Sequence, residues 1–319
     1  MEGAHADRAV TGERSPSLGI DEGLPPDVRA AFDRRWQRVA DCIGLRTPDR
    51  MPVSLIAGFW FARYGGISCR QLMYDHETAN AISERAMLEF EPDIAGSSYL
   101  GLAASAYLFQ LPGVTVQAPY DVLADYMRGA KNMMTDLYRR PDQVLAALDK
   151  LGALILKRTL AAVAPRSSPV IIIPIHWAPD NFMSPRQFAT FYWPSFRRLM
   201  LALIDHGLVP MPLWESDCTR RLEVIADVPP GKCIYWFEGT DMVRAFEVLG
   251  DRVALHGNLG ASLLTTGTPE QVDAAVRHLA ENVFHKGGKL ILSTWSPMPD
   301  ETPVENVRAM FSAARKYGG

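Results

Sequence analysis

The second half of the chain alternates short, continuously apolar segments with longer amphipathic ones. Each apolar segment is followed by polar or glycine-containing residues and then by apolar positions at helical spacing. Short apolar strands alternating with amphipathic helices predict a parallel sheet covered by helices. The strands predicted in this half are residues 170–175, 209–213, 233–237, 253–255 and 290–292.

The first half follows the same pattern with weaker signals. Apolar residues at helical spacing predict a helix over residues 27–43 and another over residues 77–89. Strands are predicted at residues 52–57 and 92–96, with a short third strand near residues 114–116. Counting that third strand, the chain has eight strands, which favours a (β/α)8 TIM barrel over an open sheet.

Two further helices have recognisable starts. Residues 141–164 predict a helix that begins with proline, and Ser184 caps the next helix with Pro185 at its first position. We expect one barrel domain over residues 26–319. It is preceded by a mobile tail, residues 1–25, which is rich in Gly, Ser, Ala and charged residues.

Composition argues against several function classes. A formal net charge of −3 over 319 residues gives no reason to expect nucleic-acid binding. The four cysteines are far apart and form no CxxC pair, so we expect reduced thiols in a cytoplasmic protein. No apolar run approaches the roughly 20 residues of a membrane helix. We also expect no secretion signal, because the amino-terminal residues lack an apolar core.

Polar residues follow most of the predicted strands. In a barrel such residues converge on the face at the carboxyl ends of the strands, where active sites are built. Histidines and carboxylates in a partly desolvated cup can bind a metal ion or exchange protons. The candidates at predicted strand ends are Asp93, His176, Glu215, Asp217, Glu238, His256, Asn258, Trp295 and Ser296.

Several of these residues also have a purely structural interpretation, and the sequence does not decide between the two. Asp217 is of the residue type that caps a helix, here one beginning near Thr219. His176 fits a hydrogen-bonded loop histidine, and His256 fits a buried neutral one. The tryptophans near strand ends, such as Trp60, fit core packing as well as an aromatic wall for a flat substrate.

Short motifs follow one another in a specific order and spacing. They are Pro48-Asp49-Arg50-Met51-Pro52-Val53, Met183-Ser184-Pro185, His256-Gly257-Asn258, Gly267-Thr268-Pro269-Glu270, Gly287-Gly288 and Thr302-Pro303 with Glu305-Asn306. Together they resemble the uroporphyrinogen decarboxylase superfamily over residues 36–318, nearest its corrinoid-linked methyltransferase branch. That superfamily contains tetrapyrrole decarboxylases and zinc-dependent methyltransferases that serve corrinoid proteins or thiol acceptors. The resemblance therefore implies the barrel fold, but it does not distinguish between these two reactions.

The chain departs from the zinc methyltransferases at their metal ligands. In those enzymes the strand matching residues 209–213 ends in a His-x-Cys pair, and a further Cys follows the last strand. Here Glu215 and Asp217 follow the first of these strands, and Ser296 stands at the position of the later Cys. Glu215, Asp217 and His256 would form a harder, oxygen-rich site for zinc or another divalent metal. A metal-free site stays open as well.

The chain departs from the decarboxylase branch too. That branch holds the carboxylates of its substrate with an arginine-rich loop after the first strand. The matching residues 57–64 contain one arginine, Arg63, among aromatic residues that include Trp60 and Tyr64. A single arginine matches a polyanionic porphyrinogen poorly. Asp93 does lie where the branch keeps its substrate-binding aspartate, which would accept hydrogen bonds from pyrrole N–H groups.

We therefore expect a methyltransferase of the O-demethylase type. It would move a methyl group from a small, methoxylated substrate to a corrinoid (cobalamin) on a partner protein. Glu215 and Asp217 would bind metal or act as acid and base, while His176 and His256 would orient or protonate the substrate. The residues expected to contact the substrate are Arg63, Tyr64, Trp60, Glu238, Asn258, Trp295 and Ser296.

The alternative is a decarboxylase without metal or other cofactor, acting on a tetrapyrrole or a smaller carboxylic acid. Asp93 and Arg63 would then be the binding pair. A barrel that only binds a corrinoid or tetrapyrrole is a third, non-enzymatic interpretation. Dimers are common in the superfamily, so the resemblance is consistent with a homodimer.

Overall fold

The computed structural model describes residues 25–97, 116–163, 169–295 and 297–319. The strands in these ranges pair in parallel, in one group of two and one group of five. Backbone bridges from Val53 to Leu292 and from Ala57 to Met298 connect the two groups. The strands are β1 (Ser54–Ala57), β2 (Ile94–Ser97), β3 (Val170–Ile175), β4 (Val209–Trp214), β5 (Ile234–Phe237), β6 (Ala254–Leu259) and β7 (Leu290–Thr294).

The strand order is β2-β1-β7-β6-β5-β4-β3, as expected when consecutive strands follow one another around a barrel. The predicted (β/α)8 TIM barrel is confirmed. Of the predicted third strand, residues 114 and 115 lie outside the described residues, and Val116 is not in a strand. The predicted tail, residues 1–25, also lies outside them apart from Pro25.

The helices lie between the strands, as the periodicity predicts. Ser184 caps its helix as expected, because its hydroxyl accepts the N–H of Gln187 and the Gln187 side chain bonds back to Ser184. Within the described ranges, no helix is long and apolar enough to cross a membrane.

The helices are α1 (Pro26–Ile43), α2 (Trp60–Gly65), α3 (Cys69–Tyr74), α4 (His76–Phe90), α5 (Pro119–Val122), α6 (Ala130–Arg139), α7 (Pro141–Ala162), α8 (Pro185–Gln187), α9 (Trp193–Asp205), α10 (Leu222–Ile225), α11 (Met242–Leu249), α12 (Ala261–Thr266), α13 (Pro269–Leu279) and α14 (Val304–Tyr317). Turns of π-helix span Leu123–Arg128, Phe188–Tyr192 and Ala280–Phe284, and a 3₁₀ turn spans Thr219–Arg221.

The core has two parts, because alternate strand residues point into the barrel and out toward the helices. The inner part includes the first residues of β4 and β6, Val209 and Ala254, packed against Cys42 and Ile43 of α1. The outer part includes Leu255 and Leu290 together with apolar residues of the surrounding helices. Helix α1 therefore covers the amino-terminal end of the barrel, and the carboxyl-terminal end is where the site must be sought.

Asp93 lies at the amino-terminal end, one residue before β2, and this corrects its predicted role in the substrate site. Its carboxylate accepts hydrogen bonds from Val53 N at 3.0 Å, from Arg50 at 2.7 and 2.9 Å, and from Arg38 at 3.0 Å. The Asp93 side chain is 1% exposed. It thus ties α1 to the starts of β1 and β2, far from the strand ends where a substrate would bind.

We expect Asp93→Asn to destabilise the protein by about 2–3 kcal/mol, because it leaves two guanidinium groups around a neutral amide. The free energy of unfolding in urea measures this. Glu281→Gln is the matched control, since Glu281 pairs with Arg277 on an exposed helical face and should change stability by about 0.5 kcal/mol or less. Equal stabilities of the two variants would contradict the assignment.

Gly257, in β6, is required by its backbone geometry. Its φ is +132°, and a Cβ atom there would lie 2.4 Å from the carbonyl oxygen of Phe237. We expect Gly257→Ala to lower the midpoint of thermal unfolding and to cost about 2 kcal/mol or more. Gly260→Ala is the control, because a Cβ at Gly260 meets nothing within 4 Å. A Gly257→Ala protein as stable as that control would show that β6 relaxes locally.

Candidate active site

The structure brings two of the predicted residues together at the carboxyl-terminal face. His176 follows β3 and Glu215 follows β4, and these strands are neighbours in the sheet. His176 Nε2 lies 3.7 Å from Glu215 Oε1. Both side chains are partly exposed, at 34% and 38%. A histidine and a carboxyl group therefore face open space side by side, as strand ends in a barrel permit.

Two aspartates that the sequence analysis missed complete this cluster. Asp125 Oδ2 lies 2.7 Å from His176 Nδ1, and Asp125 Oδ1 accepts the indole N–H of Trp177 at 2.6 Å. Asp121 Oδ2 accepts the backbone N–H of His176 at 3.0 Å and the hydroxyl of Tyr192 at 2.9 Å. Asp121 Oδ1 accepts the backbone N–H of Trp177 at 3.3 Å.

The local helix explains how the two aspartates reach the end of β3. Pro119 begins α5, which continues into the π-helical turn Leu123–Arg128. Asp121 and Asp125 are four residues apart, so they lie on the same face of this helical segment. Turns of π-helix are frequent at functional sites. The sequence signal that could have found them is this spacing of two aspartates behind a helix-starting proline.

Burial sets the proton affinity of the carboxyl groups in the cluster. Asp121 is fully buried, and this burial raises its pKa to about 7 although its hydrogen-bond donors favour the charged form. The pKa of Glu215 is also raised, first by burial and then by the charge of Asp125, while His176 opposes the change.

The same charges act on His176. Burial lowers its pKa, but the hydrogen bond to Asp125 and the charges of Asp121 and Glu215 together outweigh that, and the net shift is upward. Both His176 and Glu215 are therefore shifted toward their protonated forms, which is the direction that a general acid requires.

His256 does not join the cluster, because β6 extends past it to Leu259 and places it inside the barrel. It is fully buried, with Nε2 2.9 Å from Ser54 Oγ and its ring centroid 4.5 Å from that of Trp236. Burial lowers its pKa to about 3, so the ring is neutral at ordinary pH. The buried-core interpretation of His256 thus fits the structure, and the predicted catalytic role does not.

Asp217 serves the loop after β4. Its Oδ1 accepts the N–H and the hydroxyl of Thr219, at 2.8 and 2.6 Å, so the carboxylate stabilises the loop itself. The N-cap of the turn Thr219–Arg221 is Cys218, so Asp217 does not cap it. The predicted metal set of Glu215, Asp217 and His256 is therefore not assembled. Throughout the described residues, no group of three or more His, Cys, Asp or Glu side chains is arranged to hold a metal ion. Glu215, Asp217 and His256 therefore do not fit a zinc ion.

The other predicted residues near the strand ends hold the loops together. Glu238 is 5% exposed and accepts the N–H of Ser216 at 3.1 Å. Asn258 donates to the carbonyl of Thr240 at 2.7 Å. Trp295 follows β7 and is partly exposed, and its backbone N–H donates to the Leu259 carbonyl. Ser296 lies outside the described residues.

The predicted substrate contacts on α2 serve the outer layer instead. Trp60 is fully buried and donates its indole N–H to the Thr302 carbonyl at 2.9 Å. Tyr64 stacks on Trp60 and donates its hydroxyl to Glu89 of α4 at 2.6 Å. Arg63 is exposed on the same helix. The packing interpretation thus holds for Trp60, and the structure corrects the predicted roles of Trp60 and Tyr64.

The burial of Asp121 predicts an unusual dependence of stability on pH. The folded protein keeps a proton on Asp121 up to about pH 7, whereas the unfolded chain loses it near 3.8, so stability falls as pH rises between these values. The Asp121→Asn variant has a neutral amide here and no carboxyl group that could ionise. Relative to wild type it should gain up to about 4 kcal/mol between pH 4 and pH 8.

The free energy of unfolding as a function of pH measures this gain. Asp251→Asn is the control, because Asp251 is 79% exposed. Parallel pH curves for wild type and Asp121→Asn would contradict the buried-proton interpretation.

Comparison with solved structures shows a shared fold. A methyltransferase from Methanosarcina mazei superposes with a TM-score of 0.62, covering 88% of this chain and 98% of that chain at 17% sequence identity.

The sequence relatives carry a different name. Uroporphyrinogen decarboxylase from Chlorobium luteolum is 31% identical over 147 residues, 46% of this chain and 39% of that protein. Uroporphyrinogen decarboxylase from Coxiella burnetii is 25% identical over 237 residues, 67% of this chain and 63% of that protein. The matched part therefore spans less than two thirds of the length of these curated relatives.

The family model settles membership. The model described as uroporphyrinogen decarboxylase (URO-D) matches residues 112–317, which is more than half of the chain. That range includes the whole carboxylate–histidine cluster from Asp121 to Glu215. It also includes five of the described strands, β3 to β7. The chain belongs to the uroporphyrinogen decarboxylase (URO-D) family.

Proposed function

We propose that this protein is a methyltransferase of the O-demethylase type within the URO-D family. The methyl donor would be a small methoxylated molecule, and the acceptor would be a corrinoid carried by a partner protein. The observation that supports this proposal is the pair of His176 and Glu215 at the open end of the barrel, whose side chains lie 3.7 Å apart and whose pKa values are both shifted upward. The corrinoid partner, the homodimer and the cytoplasmic location stay predictions.

Demethylation of an ether needs an acid because alkoxide is a poor leaving group. The bond between the methyl carbon and the ether oxygen breaks, the methyl group passes to the acceptor, and the oxygen keeps the bonding electrons. His176 Nε2 or the Glu215 carboxyl would deliver a proton to that oxygen, and solvent would return the proton afterwards. Both groups are partly exposed, so they can reach a substrate and exchange protons with water.

Charge also favours a donor without many carboxylates. Asp125 and Glu215 both pair with His176. Arg63 is the one arginine of α2, which closely follows β1, and its side chain is exposed. Residues 98–115, which follow β2, contain no lysine or arginine. A polyanionic substrate would need several guanidinium groups at this face, since each carboxylate has to be matched.

A decarboxylase is the second candidate, and the names of the curated relatives favour it. The same acid could protonate the carbanion that loss of CO2 leaves behind. Two features weigh against a uroporphyrinogen substrate. The arginine-rich loop is missing from the sequence, and Asp93 is enclosed by Arg38 and Arg50 at the opposite end of the barrel.

We expect the purified protein to methylate free cob(I)alamin with a methoxylated aromatic donor. The readouts are the loss of Co(I) absorbance and the demethylated product by chromatography. Glu215→Gln and His176→Gln should each lower kcat about 100-fold or more, because each removes an acid from the leaving oxygen. Glu223→Gln is the control, since Glu223 pairs with Arg244 on an exposed surface. CO2 release from a carboxylic substrate without methyl transfer would replace the proposal with the decarboxylase.

A further inference from the structure

Asp125 holds two neighbouring side chains at once. Its two carboxylate oxygens bond the His176 imidazole at 2.7 Å and the Trp177 indole at 2.6 Å. We propose that Asp125 is the positioning residue of this site: its carboxylate turns His176 Nε2 toward Glu215 and links the imidazole to the Trp177 indole. It acts on substrate through these two rings and does not itself supply the proton.

The hydrogen bonds decide which nitrogen of His176 is available. Asp125 Oδ1 accepts the Trp177 indole N–H, and we assign Oδ2 as an acceptor too, which places the hydrogen of His176 on Nδ1. His176 Nε2, 3.7 Å from Glu215, is then the nitrogen that gains and loses a proton at the open face. Without Asp125 both neutral tautomers would be populated, and in the one with its hydrogen on Nε2 the nitrogen that gains and loses a proton would be Nδ1.

The backbone beneath the two rings is held separately. Asp121 bonds the backbone N–H groups of His176 and Trp177, and Tyr192 in turn bonds Asp121. A change at Asp125 therefore releases the two rings while the end of β3 stays anchored. This division of labour makes a specific test possible, because the loss of ring orientation can be separated from the loss of local structure.

Because His176 and Trp177 share the Asp125 carboxylate, we expect a change in the hydrogen bond of one ring to alter the hydrogen bond of the other. The charged groups that face His176 are Asp121 and Asp125 from the helical segment and Glu215 from the β4 loop. Removing the Asp125 charge weakens the protonated form of His176. Removing the Trp177 indole N–H has the opposite effect, because Asp125 loses a competing donor and binds the His176 proton more strongly.

Nitrogen NMR tests this without any substrate. The chain has 7 His and 7 Trp, so selective ¹⁵N labelling gives few signals, which His176→Gln and Trp177→Phe assign. In wild type we expect neutral His176 to be protonated on Nδ1. In Asp125→Asn the two ring nitrogens should show averaged tautomers, the titration midpoint should fall, and the Trp177 indole signal should move. In Trp177→Phe the tautomer should persist and the midpoint should rise.

Opposite directions in the two variants exclude general loosening, which would move both midpoints the same way. Asp149→Asn, on the exposed face of α7, is the control and should match wild type. An unchanged His176 titration in Asp125→Asn would overturn the proposal. A midpoint that stays or falls in Trp177→Phe would overturn the link between the rings.

Only the kinetic part of the test depends on the proposed function. If methyl transfer is observed, Asp125→Asn should lower kcat about 10- to 100-fold with little change in KM. The limb of the pH profile on which the acid loses its proton should move to lower pH. If wild type transfers no methyl group, the proposed function fails, and the NMR result still decides the role of Asp125.

Discussion

The site depends on the burial of one carboxyl group, Asp121, beneath the end of β3. Its hydrogen-bond donors among the described residues are two backbone amides and a phenol. Neutral donors of this kind stabilise a carboxylate anion less than a pair of guanidinium groups would. Burial therefore dominates the pKa of Asp121, and its carboxyl group keeps a proton up to about pH 7. The same contacts fix His176 and Trp177 in place, so anchoring and proton retention have one structural cause.

Sequence periodicity was sufficient for the barrel and for part of the site. His176 and Glu215 were found because each directly follows a parallel strand, and the ends of neighbouring strands meet. The catalytic role predicted for His256 was wrong because the glycine and asparagine after it continue β6. The histidine therefore stays within the strand, and its side chain points into the barrel. The role predicted for Asp93 was wrong because Asp93 lies at the start of a strand, one residue before β2, and strand starts lie at the amino-terminal end of the barrel, away from the site.

Asp121 and Asp125 could not be predicted from strand ends, because they lie on a helical segment before β3. Their spacing behind Pro119 can place both aspartates on one helical face, but only tertiary packing brings that face to the end of β3. Family resemblance gave no help either, since the ligands that the zinc methyltransferases use are replaced in this chain. The candidate site therefore includes a position, Glu215, at which this chain differs from the expected pattern.

The neutral ring of His256 has a consequence for how the barrel tolerates change. Between the ion cluster around Asp93 and the acid cluster around Asp121 lies the buried imidazole of His256, which carries no charge at ordinary pH. The two clusters are separated by the length of the strands, and distant sites usually contribute independently. Substitutions can therefore change the stability of the amino-terminal end without altering the chemistry of the carboxyl-terminal cluster. Substitutions at the carboxyl-terminal end can therefore change which substrate the barrel accepts while the fold is kept.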